Sequence, residues 1–264
     1  MALANILLVC ILSLFTFFFP PKPKKLKLVW SDEFNKAGLP DANKWTYEEG
    51  YIRNKELQYY TKQRPENARI ENGNLVIEAR LDSLNVGGKK APITSASITT
   101  EGKAEWQYGR VEVRAKIPSS LGTWPAIWML GKNRREVGWP ACGELDIMEH
   151  VGYDPDKLHF TVHTKAYNHI KKTDKGAKVP FAQPYADYHV YAMDWTKEKI
   201  DFLLDNKVVF TFKNEGTGPD VWPYDQPFYL ILNLAFGGGW GGQKGVDVNS
   251  LPQKFYIDYV RVYQ

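Results

Sequence analysis

The sequence predicts an all-β chain, a sandwich of two packed antiparallel sheets. Three observations lead there: short alternating segments at close spacing, Gly- and Pro-rich connections, and no 12-residue stretch of the domain with a helical period. Arg110–Ile117 alternates strictly, with polar residues at even positions and apolar ones at odd positions, as on a strand buried on one face. Asn74–Arg80 alternates less cleanly and follows the turn residues Asn72-Gly73. Lys199–Leu204 and Lys207–Phe212 flank Asp205-Asn206, the pattern of a hairpin with a two-residue turn. Phe255–Tyr263 closes the chain as a further strand.

The 264 residues are 44% apolar and 24% charged, enough for one domain with a full core and too apolar for a disordered chain. Lys and Arg number 34 against 30 Asp and Glu. Four of the lysines, Lys22, Lys24, Lys25 and Lys27, stand together near the N-terminus, and setting them aside leaves a neutral remainder. A nucleic-acid binder concentrates positive charge on its folded domain, so that class is excluded. Residues 6–19 form an apolar run that Pro20-Pro21 stops. A spanning helix needs roughly 20 apolar residues and a signal h-region about 7 to 15, so the run fits export, with an uncleaved anchor as the alternative. The expected division is a leader and Pro/Lys-rich spacer at 1–25 and one domain at 26–264, secreted, periplasmic or held at the cell surface. With Cys10 in the leader, the domain keeps only Cys142 and forms no internal disulfide. The expected role of Cys142 is packing.

The chemistry concentrates in Gly143-Glu144-Leu145-Asp146-Ile147-Met148-Glu149-His150. On a regular strand residues 144, 146 and 148 share a face and 149 points away. A β-bulge adding one residue near Ile147-Met148 brings Glu149 round to join Glu144 and Asp146. Leu145 and one of Ile147 or Met148 then enter the core, and three acids face a cleft. Two Glu side chains leaning inward bring their carboxyls to about 5 Å, the separation of a retaining glycosidase; an inverting one needs roughly 6.5–9.5 Å. Asp146 between them shares a proton and moves the glutamates' pKa values apart. The same acids also suit a cation site or a solvated strand face. Like charges this dense on one face repel, which disfavours chance placement.

Sugars stack on aromatic rings and hydrogen-bond to amides, His and acids. Gly122–Leu130 carries Trp124 and Trp128, and Asn233–Gly242 sets Trp240 in a glycine-rich loop with little side chain around it. Trp195 and Trp222 read as core. His163 follows the acidic strand closely enough to face the same cleft. The five His residues include no H-x-H pair for zinc, and no G-x-S-x-G or P-loop supports serine hydrolysis or nucleotide binding.

Five blocks stand in the order seen in glycoside hydrolase family 16, which residues 28–264 resemble in its laminarinase (endo-1,3-β-glucanase) branch. They are Trp30-Ser31-Asp32-Glu33-Phe34, Asn54–Thr61, Trp124–Leu130, E-L-D-I-M-E and Asn233–Gly242. The resemblance implies a β-jelly roll with a glucan cleft on its concave sheet and an anomer-retaining double displacement. It implies Glu144 as nucleophile, Glu149 as acid/base and Asp146 as assisting acid. Asn54, Glu56, Trp124, Trp128, His163, Asn233 and Trp240 fall at its sugar contacts. Many members hold a structural Ca²⁺, which places its ligands at Glu33, the Gly73 carbonyl and Asp258; catalysis itself uses no cofactor. Ser97 stands where many relatives carry Arg, a departure expected either to weaken one glucose subsite or to be compensated by Arg110 or Arg114. The Lys-rich segment Ala166–Val179 is expected to wall one end of the cleft. The implied activity is endo-hydrolysis of β-1,3-glucan by a monomer without a protein partner. The alternatives are a mixed-linkage glucan or galactan hydrolase, for which the cleft blocks show no basic cluster to meet sulfate, and a non-catalytic β-glucan-binding protein, which is expected to lose one or both glutamates.

Overall fold

The structure, a computed structural model, describes residues 26–264, so the apolar run at 6–19 and its flank to residue 25 lie outside the described residues. The chain opens with strands β1 Leu28–Asp32, β2 Thr46–Glu48, β3 Tyr59–Tyr60, β4 Ala68–Glu71, β5 Asn74–Val86 and β6 Lys89–Ser95. It continues through β7 Ser97–Thr99, β8 Gly109–Lys116, β9 Thr123–Gly131, β10 Glu144–Glu149, β11 Lys157–His163 and β12 Lys175–Pro180. It ends with β13 His189–Trp195, β14 Lys199–Leu204, β15 Lys207–Lys213, β16 Phe228–Phe236 and β17 Gln253–Tyr263. The α-helices among the described residues are single turns, α1 Arg134–Val137 and α2 Gly238–Gly241.

The strands form a sandwich. A ten-stranded sheet runs β15-β14-β13-β8-β17-β5-β6-β3, with β1 on β17 and β4 on β5; a seven-stranded sheet runs β12-β11-β10-β9-β16-β7-β2. Pairing is antiparallel except between β3 and β6. The period-two pattern decides what lies between the sheets. Val111, Val113 and Ala115 of β8 enter the same core as Leu230, Leu232 and Leu234 of β16. Each such leucine contributes about 1.5–3 kcal/mol by leaving water. Trp195 and Trp222 join this core, where tryptophan is most often found. At the β14–β15 hairpin Asp205 (φ 48) and Asn206 (φ 64) are both left-handed, the geometry a two-residue turn of primed type demands.

The outer face of the seven-stranded sheet has its own apolar floor of Ala126, Trp128, Leu130, Cys142, Tyr229 and Ile231. Strand β16 is therefore buried on both faces, and Cys142 is a packing residue, with burial pushing its thiol up to about 11.

Candidate active site

The expected bulge is present in β10. Asp146 pairs with Trp128 and Met148 with Ile127, so two steps on β10 match one on β9. Across β11, Asp146 pairs with Thr161 and Glu149 with His159, three steps against two. The extra residue returns Glu149 to the outer face with Glu144 and Asp146. Both Ile147 and Met148 enter the main core, where the sequence suggested only one of them. A bulge leaves two successive side chains on one side of the strand, so neither has to face the carboxylates.

The cleft has two lobes, of about 320 and 590 Å³, which share Asn54, Trp124, Glu144, Glu149 and His169. The smaller also holds Glu56, Trp128, Asp146 and Asn233. The larger also holds His163 and Trp240. Every sugar-contact residue inferred from the sequence lines one lobe or the other.

Each glutamate is held by a different indole. Trp139 Nε1 donates to Glu144 Oε2 at 2.6 Å, and Trp124 Nε1 donates to Glu149 Oε1 at 2.9 Å. Burial pushes Glu144 up to about 7, opposed by the Trp139 bond and by hydrogen bonding with Asp146. Burial pushes Glu149 up to about 8, against the Trp124 bond and reinforced by the charge on Glu144. Asp146, 2% exposed, is raised well above an ordinary aspartate by burial and by both glutamates. His163 Nε2 lies 3.5 Å from Asp146 Oδ2 and 3.9 Å from Glu144 Oε1. Burial holds this histidine down at about 4, so it meets the acids as a neutral ring. Both glutamates are raised by burial and share one outer face, each held by its own indole, the paired carboxyls a retaining hydrolase needs.

The flanking loops lock to each other. Asn54 and Gln58 both donate to Glu56, Gln58 accepts from the Phe236 amide, and Gly239 N donates to the Asn54 carbonyl. Gly237 (φ 75) closes this junction, and a Cβ there would sit 2.7 Å from Leu57 Cδ1. Only glycine fits both the left-handed backbone and the close approach. The loop carries Trp240 edge-on to Trp124 at 5.3 Å and to His159 at 4.8 Å, partly exposed as expected. Trp128 differs. It is 8% exposed, donates to Asn233 Oδ1 at 2.7 Å and lies under the Arg53 guanidinium at 4.9 Å, so it is floor, with one face covered.

The profile of the family described as Glycosyl hydrolases family 16 matches residues 54–261. The chain belongs to this family. A β-glucanase of Rhodothermus marinus is 51% identical over 248 residues, covering 90% of this chain and 85% of that protein. The solved laminarinase from Rhodothermus marinus is 49% identical with a TM-score of 0.87, covering 91% of this chain and 98% of that one. A mutant of a non-specific endo-β-1,3(4)-glucanase, with 1,3-β-D-cellobiosyl-glucose at its active site, gives 49% identity and 0.87 over 92% of this chain and 96% of that one. Within glycoside hydrolase family 16 the sandwich is a jelly roll, and membership makes the chain an anomer-retaining glycoside hydrolase.

The family frame leaves several residues that sequence reasoning missed. Trp139 bonds Glu144 from the loop before β10, and His169 of the segment after β11 packs against Trp139 at 5.0 Å and His163 at 5.2 Å. That segment does wall the cleft, through His169 and Ile170 in one lobe and His169, Asp174 and Lys178 in the other. Arg53, Arg134 and Lys178 put positive charge along the cleft where the motif blocks alone showed no basic cluster. The expectation for Ser97 is corrected: Arg110 and Arg114 belong to β8 of the other sheet and pair with Asp194 and Asp258. Ser97 instead donates to Glu48, which holds Arg53, so a guanidinium reaches this part of the cleft from the loop before Asn54. Of the calcium ligands suggested by resemblance, Glu33 is bidentate to Arg261 at 2.8 and 3.0 Å and Asp258 is held by Arg114 at 2.6 Å. Gly73 occupies the turn between β4 and β5. With both carboxylates carrying guanidinium partners, the donor set as it stands does not fit a calcium ion.

Proposed function

We propose that this chain is an endo-acting hydrolase of β-1,3-glucosidic bonds in laminarin-type glucans. One observation carries the mechanism: the β10 bulge puts Glu144 and Glu149 on one face. The Glu144 carboxylate attacks the anomeric carbon while Glu149 protonates the departing glycosidic oxygen. That bond breaks and a glycosyl ester forms on Glu144. Water then adds to the anomeric carbon, gives its proton to Glu149 and releases Glu144, so configuration is retained. Asp146 stabilises the Glu144 anion by hydrogen bonding, and the neutral His163 backs Asp146.

The substrate reading is supported by the laminarinase from Rhodothermus marinus among the relatives. The similarity to a non-specific endo-β-1,3(4)-glucanase favours mixed-linkage glucan as a second substrate. A reducing-end assay on laminarin, mixed-linkage β-glucan and agarose, with product sizes followed over time, tests both. Early mixed oligosaccharides from laminarin are expected. Cleavage of agarose alone would keep the mechanism and overturn the substrate, and binding without cleavage would return the protein to the recognition class. Export is the proposal for compartment, resting on the apolar run at 6–19. N-terminal mass spectrometry of the protein in the medium is expected to find a start near residue 26; an intact Met1 on a membrane-bound protein would replace export with anchoring.

The pH profile follows from the two glutamates. Activity requires Glu144 ionised, so kcat/KM rises as pH passes about 7, and Glu149 protonated, so it falls beyond about 8. A narrow bell between these limits is expected, its two apparent values belonging to the coupled pair. A rate that climbs without an alkaline limb would remove Glu149 as the acid.

A further inference from the structure

The mechanism leaves His159 without a task, and its surroundings supply one. His159 is 6% exposed, yet its Nε2 has no hydrogen-bond partner among the described residues. Buried polar atoms in native proteins are paired, and one left unpaired at a cavity wall marks an absent water or ligand. His159 lines the larger lobe beside Trp240, whose ring edge meets the imidazole at 4.8 Å and fixes its orientation. Three strands set the row: Glu149 pairs with His159 and His159 with Lys178. Burial and the neighbouring Lys178 hold the ring down at about 4, so near neutral pH it carries one donor and one acceptor nitrogen. A neutral, preoriented ring of that kind matches a sugar hydroxyl, which both donates and accepts.

Glu149 gives its proton to the departing oxygen, so the sugar bearing that oxygen packs on the Glu149 side of the cleft. We propose that His159 is a binding residue for this departing segment, its Nε2 hydrogen-bonding a hydroxyl of the sugar next to the scissile bond. The inference rests on the hydrolase reading above and deepens it.

The test compares His159→Ala and His159→Gln on two substrates, laminari-oligosaccharides and 2,4-dinitrophenyl β-laminaribioside. The aryl glycoside leaves without protonation and places no sugar on the departing side. On the oligosaccharides His159→Ala is expected to lower kcat/KM about tenfold, the scale of one lost hydrogen bond in a binding site. On the aryl glycoside the change stays within about twofold, and His159→Gln recovers part of the oligosaccharide loss. Equal losses on both substrates would make His159 a support for the carboxylates, and no loss on either would leave it structural; each overturns the proposal. Thermal melts establish that the variants fold, and His159→Gln decides if the alanine variant does not. If the wild type cleaves no β-1,3-oligosaccharide, the functional reading falls separately. The same pair of measurements on the oligosaccharide it does cleave, with the matching aryl glycoside, then judges His159.

Discussion

Glu144→Ser is expected to lower kcat on laminarin by at least about 10⁴-fold while oligosaccharides still bind. The serine hydroxyl is shorter than the carboxylate and is not ionised at working pH, so no glycosyl ester forms. Binding is expected to survive because the residues proposed to hold the glucan, in the Asn54–Glu56 loop and at Trp124, Asn233 and Trp240, line the cleft on other elements and none of them needs the Glu144 charge. The indole of Trp139 loses its acceptor at Oε2, a local cost that leaves the core untouched. Calorimetric titration with a laminari-oligosaccharide, beside a reducing-end assay, reads both halves. Wild-type rates in this variant would remove Glu144 from the chemistry.

Glu149→Gln is expected to lower activity on laminarin about 10²–10⁴-fold and to stabilise the fold at alkaline pH. The activity loss follows because an amide cannot protonate the departing oxygen. Cleavage of a dinitrophenyl glycoside therefore suffers much less in its first step. The stability change follows from linkage. Burial raises the folded carboxyl from 4.5 to about 8, so between those values the native state holds more protons than the unfolded chain. Stability therefore falls as pH rises through that window, and the contribution is fully present only below the unfolded value. Glutamine removes the penalty, worth on the order of a few kcal/mol near pH 8, or about 5–10 °C in Tm, and almost nothing near pH 4.5. A Tm gain equal at both pH values would show that the burial of an ionised Glu149 is not what the wild type tolerates.

This trade of stability for chemistry explains which parts of the site were legible in the sequence. The Glu144–Glu149 segment announced its bulge because its carboxylates fit one face only with an extra residue, and the ladder has that residue. The Arg110–Ile117 strand and the Asp205-Asn206 turn were equally direct, since period-two alternation and left-handed turn residues are local properties. Trp139 was not legible. Its indole reaches Glu144 only because residues 132–143 fold back over the sheet, a tertiary consequence that no local pattern records. Arg53 escaped for the same reason, since it stands in a loop and its aromatic neighbour Trp128 lies far along the chain. His159 carried a usable signal: with His163 placed on the outer face of β11, the residue four positions earlier shares that face. The expected roles of Arg110 and Arg114 failed because their strand lies in the opposite sheet, and sequence distance from the cleft blocks says nothing of that.

The central claim is that Glu144 forms a covalent glycosyl intermediate on a β-1,3-glucan substrate. The most direct measurement is peptide mapping by mass spectrometry after incubation with 2-deoxy-2-fluoro-β-laminaribiosyl fluoride, whose fluorine slows hydrolysis of the ester. One disaccharide is expected on the peptide containing residues 143–150, at Glu144, with activity lost in step with labelling. A label on Glu149 or Asp146, or unlabelled enzyme that turns the fluoride over without accumulating an adduct and releases the inverted sugar, would contradict the account.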